Sequence, residues 1–254
     1  MEHDLKDAQK VQESWYSFPY HYIATLPPNF GIARVYDWHL QYASAISYLL
    51  DRVADEPRRQ KIIDIGCGDG RLTHELGKRF PDARLTGIDY SQQAISLASA
   101  LNTNGSMSFE ARDLIKDSFD ADNDIAVMME VYEHIEPADT AKFLRGVRDT
   151  LRPGGVLHLT VPHQNTPVAP HHFRHFDSKL LASEVSAYFD IDVIKPFERM
   201  SKRRKWINRL LINRYFILNH QGVLDRVYRY YMKTMFFCER EDQCQRLYLR
   251  AVRR

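Results

Sequence analysis

Residues 62–70 read Ile62-Ile63-Asp64-Ile65-Gly66-Cys67-Gly68-Asp69-Gly70, a short apolar run that breaks into a glycine-rich turn. A run of isoleucines without alternation suits a strand covered on both faces, as in a buried parallel sheet. Glycines at 66, 68 and 70 allow a tight turn and let the backbone come close to a ligand. From Arg71 to Phe80 the apolar residues regain helical spacing, so the turn opens a helix. Dinucleotide-binding folds use a similar device, but their fingerprint is G-x-G-x-x-G. Here the spelling is D-x-G-x-G-x-G, compressed and preceded by an acid.

Working outward, Leu85-Thr86-Gly87-Ile88-Asp89-Tyr90-Ser91 reads as a second strand ending in an acid. In a nucleotide-binding α/β fold, an acid about 20 residues after the turn accepts hydrogen bonds from ribose hydroxyls. A third strand, Met107 to Glu110, leads into Ala111-Arg112-Asp113-Leu114, and a fourth, Asp124 to Met129, leads into Glu130-Val131-Tyr132-Glu133-His134-Ile135. Leu151-Arg152-Pro153-Gly154-Gly155 has stop-and-turn chemistry and is expected to close a helix before a fifth strand, Val156 to Val161. A helix near Ser178 to Ala187, a sixth strand over Ile191 to Pro196 and a last one over Leu247 to Val252 complete the series. Alternation of strand and helix implies a parallel sheet with helices on both faces.

The order and spelling of these segments, across roughly residues 60 to 165, resemble the class I S-adenosylmethionine-dependent methyltransferases. Ubiquinone-biosynthesis-like and polysaccharide or secondary-metabolite O-methyltransferases are the members they look most like. The resemblance implies a doubly wound α/β fold with a mostly parallel seven-stranded sheet, an N-terminal helical lid and a helical insertion before the last strand. It implies S-adenosyl-L-methionine as cofactor, with Asp64, Gly66, Cys67 and Gly68 at its methionine end. Asp89 and Tyr90 would meet the ribose, Asp113 and Leu114 the adenine, and Met129 and Glu130 the pocket floor. A division follows into an aromatic lid and helix (1–58), a cofactor-binding core (59–198), a basic helical insertion (199–245) and a final strand (246–254).

With 254 residues, the chain is long enough for one domain with elaborations and a sizeable core. No run approaches the ~20 apolar residues that a membrane span needs, and Met1-Glu2-His3-Asp4 is too polar for a secretory signal. Three cysteines (67, 238 and 244) suit a reducing compartment, so the expectation is a cytoplasmic protein. Cys67 reads as a small packing residue. The net charge of +2 conceals an asymmetry: residues 201–254 hold 14 Lys and Arg against four Asp and Glu, and the first 200 hold 21 against 29. A basic tail on an acidic body suits a polyanion or an anionic surface, or simply a solvated basic helix.

The N-terminal stretch Trp15-Tyr16-Ser17-Phe18-Pro19-Tyr20-His21-Tyr22 is dense in aromatics, and His21 is read as part of a lid over the acceptor. Tyr36 to Val53 has helical periodicity. After the sixth strand, Ser201-Lys202-Arg203-Arg204-Lys205 opens a helical run that Gly222 breaks, and a second run carries Tyr228, Tyr231, Met235 and Phe236. This insertion could cap the acceptor site, form a dimer interface or lie peripherally on a membrane.

Two clusters can deal with an acceptor's proton: Glu130-x-x-Glu133-His134 after the fourth strand, and His171-His172-Phe173-Arg174-His175-Phe176 after the fifth. Both loops should emerge on one edge of the sheet and converge there. His134, Glu133 and His172 are the candidate catalytic residues, a histidine near neutral pKa being the natural base for a hydroxyl. The same groups could hold a divalent cation. The first cluster is similar to the Glu-x-x-Glu-His signature of small-RNA 3′-terminal ribose methyltransferases, which would make Glu130, Glu133, His134 and His172 the ligands. In a bland reading, Glu133 and His134 cap a helix and floor the pocket. Arg174 suits either an ion pair with Asp177 or an anionic acceptor. The acceptor expected is a hydroxyl on a small molecule or glycan, with a lipid- or phosphate-linked one among them; RNA, with the basic tail as footprint, is the alternative, and a cofactor-binding scaffold without turnover is a third.

Overall fold

A computed structural model describes residues 16, 24–25, 31–32, 39–102, 105–211, 213, 215–218 and 220–254. The expected lid with His21 therefore lies outside the described residues, apart from Tyr16, which is buried. Two two-residue strands, β1 (Ala24–Thr25) and β2 (Gly31–Ile32), pair antiparallel. Helix α1 (His39–Ala54) leads into β3 (Lys61–Ile65), the glycine turn and α2 (Arg71–Arg79). Then follow β4 (Arg84–Asp89), α3 (Gln92–Leu101), β5 (Met107–Ala111), β6 (Asn123–Met129), α4 (Thr140–Thr150) and β7 (Leu151–Pro162). Helix α5 (Ser178–Val185) and β8 (Phe189–Arg199) precede α6 (Lys202–Leu211), α7 (Gln221–Tyr231), a π-helical turn over Met232–Phe236, and β9 (Cys244–Arg253).

The seven-stranded sheet runs β5-β4-β3-β6-β7-β9-β8. Pairs β4–β5, β3–β4, β3–β6 and β6–β7 are parallel, whereas β7–β9 and β8–β9 are antiparallel. The sheet is thus mixed but mostly parallel, a Rossmann-like arrangement. Strand order reverses direction between β3 and β6, and the crevice at the carboxyl ends beside such a switch point is where open α/β sheets collect ligands.

Alternation along the strands sorts the core onto two faces. Ile62, Ile125 and Val127 pack with Leu49, Val53, Leu72 and Leu76 of α1 and α2. Ile63, Ile65, Ala126 and Met128 pack with Phe143, Leu144 and Val147 of α4 and Leu181 of α5. Burying each such side chain is worth about 1.5–3 kcal/mol, enough to set which face each residue takes.

One sequence expectation is corrected here. Leu151-Arg152-Pro153-Gly154-Gly155 does not close the helix as a turn, because α4 already ends at Thr150 and the strand begins at Leu151. The β6–β7 register jumps between Asn123↔Leu151 and Ile125↔Val156, and Gly154 has φ +73°, so these residues form a bulge in the strand. A bulge tolerates both a proline without an N–H and a glycine in the left-handed region. The insertion's apolar side chains divide in role. Leu224, Tyr231, Met235 and Phe236 are core against α1 and the sheet. By contrast, Trp206, Leu210, Tyr215 and Phe216 are 53–75% exposed.

Candidate active site

The glycine turn is built by backbone. The amides of Gly66 and Cys67 both donate to the Ile88 carbonyl (2.8 and 3.0 Å), and that of Gly68 donates to Asp89 Oδ2 (3.0 Å). Gly66, Gly68 and Gly70 have φ of +69°, +55° and +81°, a region in which a side chain is strained. A Cβ on Gly66 would lie 2.4 Å from Val131 Cγ2. Asp89 Oδ1 accepts the Ser91 amide (2.9 Å), while Ser91 Oγ caps α3 by accepting the Ala94 amide (3.1 Å). The acid ending β4 therefore fixes the turn opposite it.

Asp64, within β3, accepts Thr73 Oγ1 at 2.6 Å. Burial raises its pKa to about 7; the Thr73 hydrogen bond opposes the rise and the charge of Asp89 adds to it. Burial likewise pushes the Cys67 thiol well up, which makes it inert packing rather than a nucleophile. Asp113 accepts the Ile115 amide and pairs with Lys116 at 2.9 Å. The Leu114 carbonyl seats against α4 so closely that a Cβ on Gly146 would stand 2.2 Å from it. Tyr90 follows Asp89 directly and is half-buried.

At the carboxyl end of β6, Met129 is half-buried and Glu130 holds φ +56°. Glu130 accepts Thr160 Oγ1 (3.0 Å) through one oxygen and Arg246 Nε (2.7 Å) through the other. Arg246 also pairs with Glu198, itself at φ +62°, and Glu198 accepts the hydroxyl of Tyr231 at 3.1 Å. Two non-glycine residues in the left-handed region thus converge on one guanidinium, a strain the surroundings must hold in place. Sequence reading did not single out Arg246 or Glu198. The antiparallel register Pro162↔Arg246 is what carries the arginine to this edge.

Glu133 is fully buried, and neither carboxylate oxygen has a hydrogen-bond partner. Burial, reinforced by the charge of Glu130, raises its pKa well above the usual range, so it is held as the neutral acid. Its carbonyl accepts the Phe173 amide at 2.9 Å and ties the histidine loop to the β6 end. The two expected clusters do meet. His134 Nδ1 lies 3.0 Å from the His171 carbonyl, His172 Nδ1 2.8 Å from His175 Nε2, and His175 Nδ1 3.0 Å from the Thr166 carbonyl.

These contacts assign the tautomers, because a carbonyl only accepts. His134 Nδ1 and His175 Nδ1 carry protons; His175 Nε2 is then an acceptor, so His172 Nδ1 donates to it. The lone pairs of His134 and His172 are left at Nε2. Burial lowers the pKa of His134 to about 4, and burial with the neighbouring imidazoles lowers that of His172 to about 3. Both rings are neutral at pH 7.

Glu130, Glu133, His134 and His172 do not assemble as the ligand set expected from the RNA-enzyme resemblance, since Glu130 is engaged by Arg246. Among the described residues the group with ligand spacing is His134, His171 and His172, each offering one ring nitrogen within 4.8 Å of the others. Arg174 pairs with Glu184 (2.5 Å) rather than Asp177, donates to Thr140, and lies over the rings of Tyr132 and Phe176. It is a structural clamp and is not positioned for an anionic acceptor. Asp177 instead caps α5 by accepting the Leu180 amide.

Residues 63–157 match the protein family described as Methyltransferase domain. Over 112 residues the chain is 32% identical to the trans-aconitate 2-methyltransferase of Deinococcus radiodurans, covering 43% of this chain and 40% of that protein. Over 110 residues it is 26% identical to the ubiquinone biosynthesis O-methyltransferase of Idiomarina loihiensis, covering 42% and 44%. The match thus spans less than half the length of these curated relatives. In fold, the chain is similar to the N-methyltransferase NodS from Bradyrhizobium japonicum in complex with S-adenosyl-L-homocysteine, with a TM-score of 0.59, 17% identity, and 84% and 87% of the two chains covered.

Proposed function

We propose that this chain, whose core is a methyltransferase domain of the class I S-adenosylmethionine-dependent kind, methylates a hydroxyl of a small molecule or glycan. The observation that carries the reading is the pairing of two halves on one sheet edge. One is a glycine turn locked to Asp89; the other is a cluster of neutral imidazoles with lone pairs at Nε2.

The turn fits the cofactor: Gly66 and Gly68 leave it bare of side chains, and Asp64 and Asp89 supply buried carboxyl groups to a ligand bearing an ammonium and ribose hydroxyls. S-adenosyl-L-methionine, when bound, supplies an electrophilic methyl on a sulfonium. Asp89 and Tyr90 would hold the ribose, Asp113 and Leu114 would border the adenine, and Asp64 with Gly66, Cys67 and Gly68 would shape the methionine end. Met129 and Glu130 floor the pocket. A hydroxyl acceptor would have to give up its proton on methylation. His172 Nε2 or His134 Nε2 receives it, and the relay through His175 to the Thr166 carbonyl holds the His172 ring in the correct tautomer.

A hydroxyl acceptor is favoured because imidazoles whose Nδ1 atoms are engaged present lone pairs at Nε2 to a group that must lose a proton. The name of the ubiquinone biosynthesis O-methyltransferase relative points the same way. A lipid- or phosphate-linked acceptor is favoured by α6. Its exposed face carries Trp206 and Leu210 one turn apart, flanked by Lys202, Arg203, Lys205 and Arg209, a pattern suited to an anionic interface. No helix among the described residues is long and apolar enough to cross a membrane.

The test is methyl transfer from radiolabelled S-adenosylmethionine to a panel of phenolic, glycosyl and lipid-linked hydroxyl acceptors, with amines, carboxylic acids and RNA oligonucleotides alongside. Label in a base-stable ether product, lost in His172→Ala, is the expected result. Label confined to amine, ester or RNA would refute the hydroxyl assignment.

A further inference from the structure

We infer that His134, His171 and His172 form a binding site for one divalent first-row transition cation, with the chemistry of zinc rather than of magnesium. Three imidazole nitrogens within 4.8 Å of one another are a nitrogen-donor set, which suits Zn, Co, Ni or Cu and is a poor match for the oxygen-seeking Mg and Ca. Bonds of about 2.0–2.1 Å in a tetrahedral site place ligand nitrogens about 3.4 Å apart.

The outer contacts are those a metal-binding histidine requires. Ligating imidazoles donate their second N–H to a carbonyl or other acceptor, which aims the remaining lone pair. His134 does so to the His171 carbonyl, and His172 does so to His175, itself held by the Thr166 carbonyl. The rings of His134 and His172 cross edge-on at 4.7 Å between centroids, and those of His171 and His172 at 4.4 Å.

Three protein ligands leave a fourth position open, the arrangement of a cation that acts on a bound water or hydroxyl rather than one that braces a fold. The catalytic consequence rests on the hydroxyl-methylation reading: with a cation bound, His134 Nε2 and His172 Nε2 are ligands rather than the base, and the cation would make the acceptor hydroxyl acidic enough to release its proton to solvent. The binding site itself does not depend on that reading. The ligand set also differs from the one carried over from the RNA enzymes, since His171 joins it and Glu130, paired with Arg246, does not.

The experiment uses the full chain, stripped with EDTA and dialysed, then titrated calorimetrically with ZnCl₂, CoCl₂ and MgCl₂. Elemental analysis gives the stoichiometry, and the visible spectrum of the cobalt form gives the geometry. One zinc per chain, intense tetrahedral cobalt bands and no heat from magnesium are expected. His171→Ala and His172→Ala should each weaken zinc at least tenfold, and His175→Ala should weaken it less. Retained binding of S-adenosylhomocysteine in each variant shows that the fold has survived. Zinc affinity unchanged in both His171→Ala and His172→Ala overturns the site, as does the absence of any zinc heat. In the latter case, if His172→Ala still abolishes turnover, the metal-free base reading stands. Tight zinc binding with no methyl transfer to any hydroxyl would keep the site and refute the function.

Discussion

The two halves of the site are built by different means. The cofactor half is local: nine consecutive residues, 62–70, make the strand and turn, and the acid that locks them ends the next strand. Its polar groups are mostly backbone amides. The acceptor half is long-range: His134 from the β6 end meets His171, His172 and His175 from the loop after β7, and Arg246 arrives from the last strand. Its groups are side chains whose protonation is set by burial. A backbone cradle tolerates change around it but not within it, whereas a side-chain cluster can lose one member and keep its fold. The comparison teaches that the first half should fail by unfolding or losing cofactor, and the second by losing turnover alone.

The largest effect is expected at Gly66. Gly66→Ala places a Cβ 2.4 Å from Val131 and a side chain at φ +69°. It should cost about 3 kcal/mol of stability, read by urea denaturation, and abolish S-adenosylhomocysteine binding. Next comes His172→Ala, for which turnover should fall about 10²-fold or more with cofactor affinity and melting temperature unchanged. Equal loss of cofactor affinity in both variants would erase the distinction between the halves.

A smaller effect separates the halves by pH. Glu133 has a folded pKa above its unfolded value. Its folded state therefore binds more protons over that window, and its stabilising contribution, full below about pH 4, is lost as pH rises. Glu133→Gln keeps shape and neutrality. Its stability advantage over the wild type should grow from pH 5 to pH 9, by up to about 1.4 kcal/mol per pH unit within the titration. Parallel stability curves for the two proteins would contradict a buried neutral acid, and a pH 5–9 series of urea midpoints decides it.

Outside both halves, Trp206→Ala with Leu210→Ala should lower partitioning to vesicles rich in phosphatidylglycerol by about tenfold. Sedimentation reads this, with neutral phosphatidylcholine vesicles as the comparison; equal binding to both lipids would remove the anionic-surface reading. The smallest effect belongs to Gly105→Ala, where a Cβ meets nothing within 4 Å. Stability there should stay within about 0.5 kcal/mol.

The same division explains what was legible in the sequence. The β3 turn, the acid of β4 and the order of the parallel strands could be read because period and glycine spacing are properties of short windows. That the Glu133-His134 and His171-His172 segments would meet was also readable, since the edge of a doubly wound sheet collects the loops after its strands. What escaped is set by register and burial. Arg246 reaches Glu130 only because β9 returns antiparallel between β7 and β8, and no local signal marks that pairing. Glu198 and Glu130 adopt positive φ although neither is glycine. The pairing of Arg174 with Glu184 instead of Asp177 depends on where α5 docks, and the bulge at Pro153-Gly154 mimics a helix stop in spelling.

One measurement bears most directly on the central claim: calorimetric titration of S-adenosylhomocysteine into the wild type, Asp89→Ala and His172→Ala. The account predicts saturable one-site binding to the wild type, the same affinity in His172→Ala, and at least a tenfold loss in Asp89→Ala. No binding to the wild type, or an affinity in Asp89→Ala equal to that of the wild type, would contradict a cofactor site at the glycine turn.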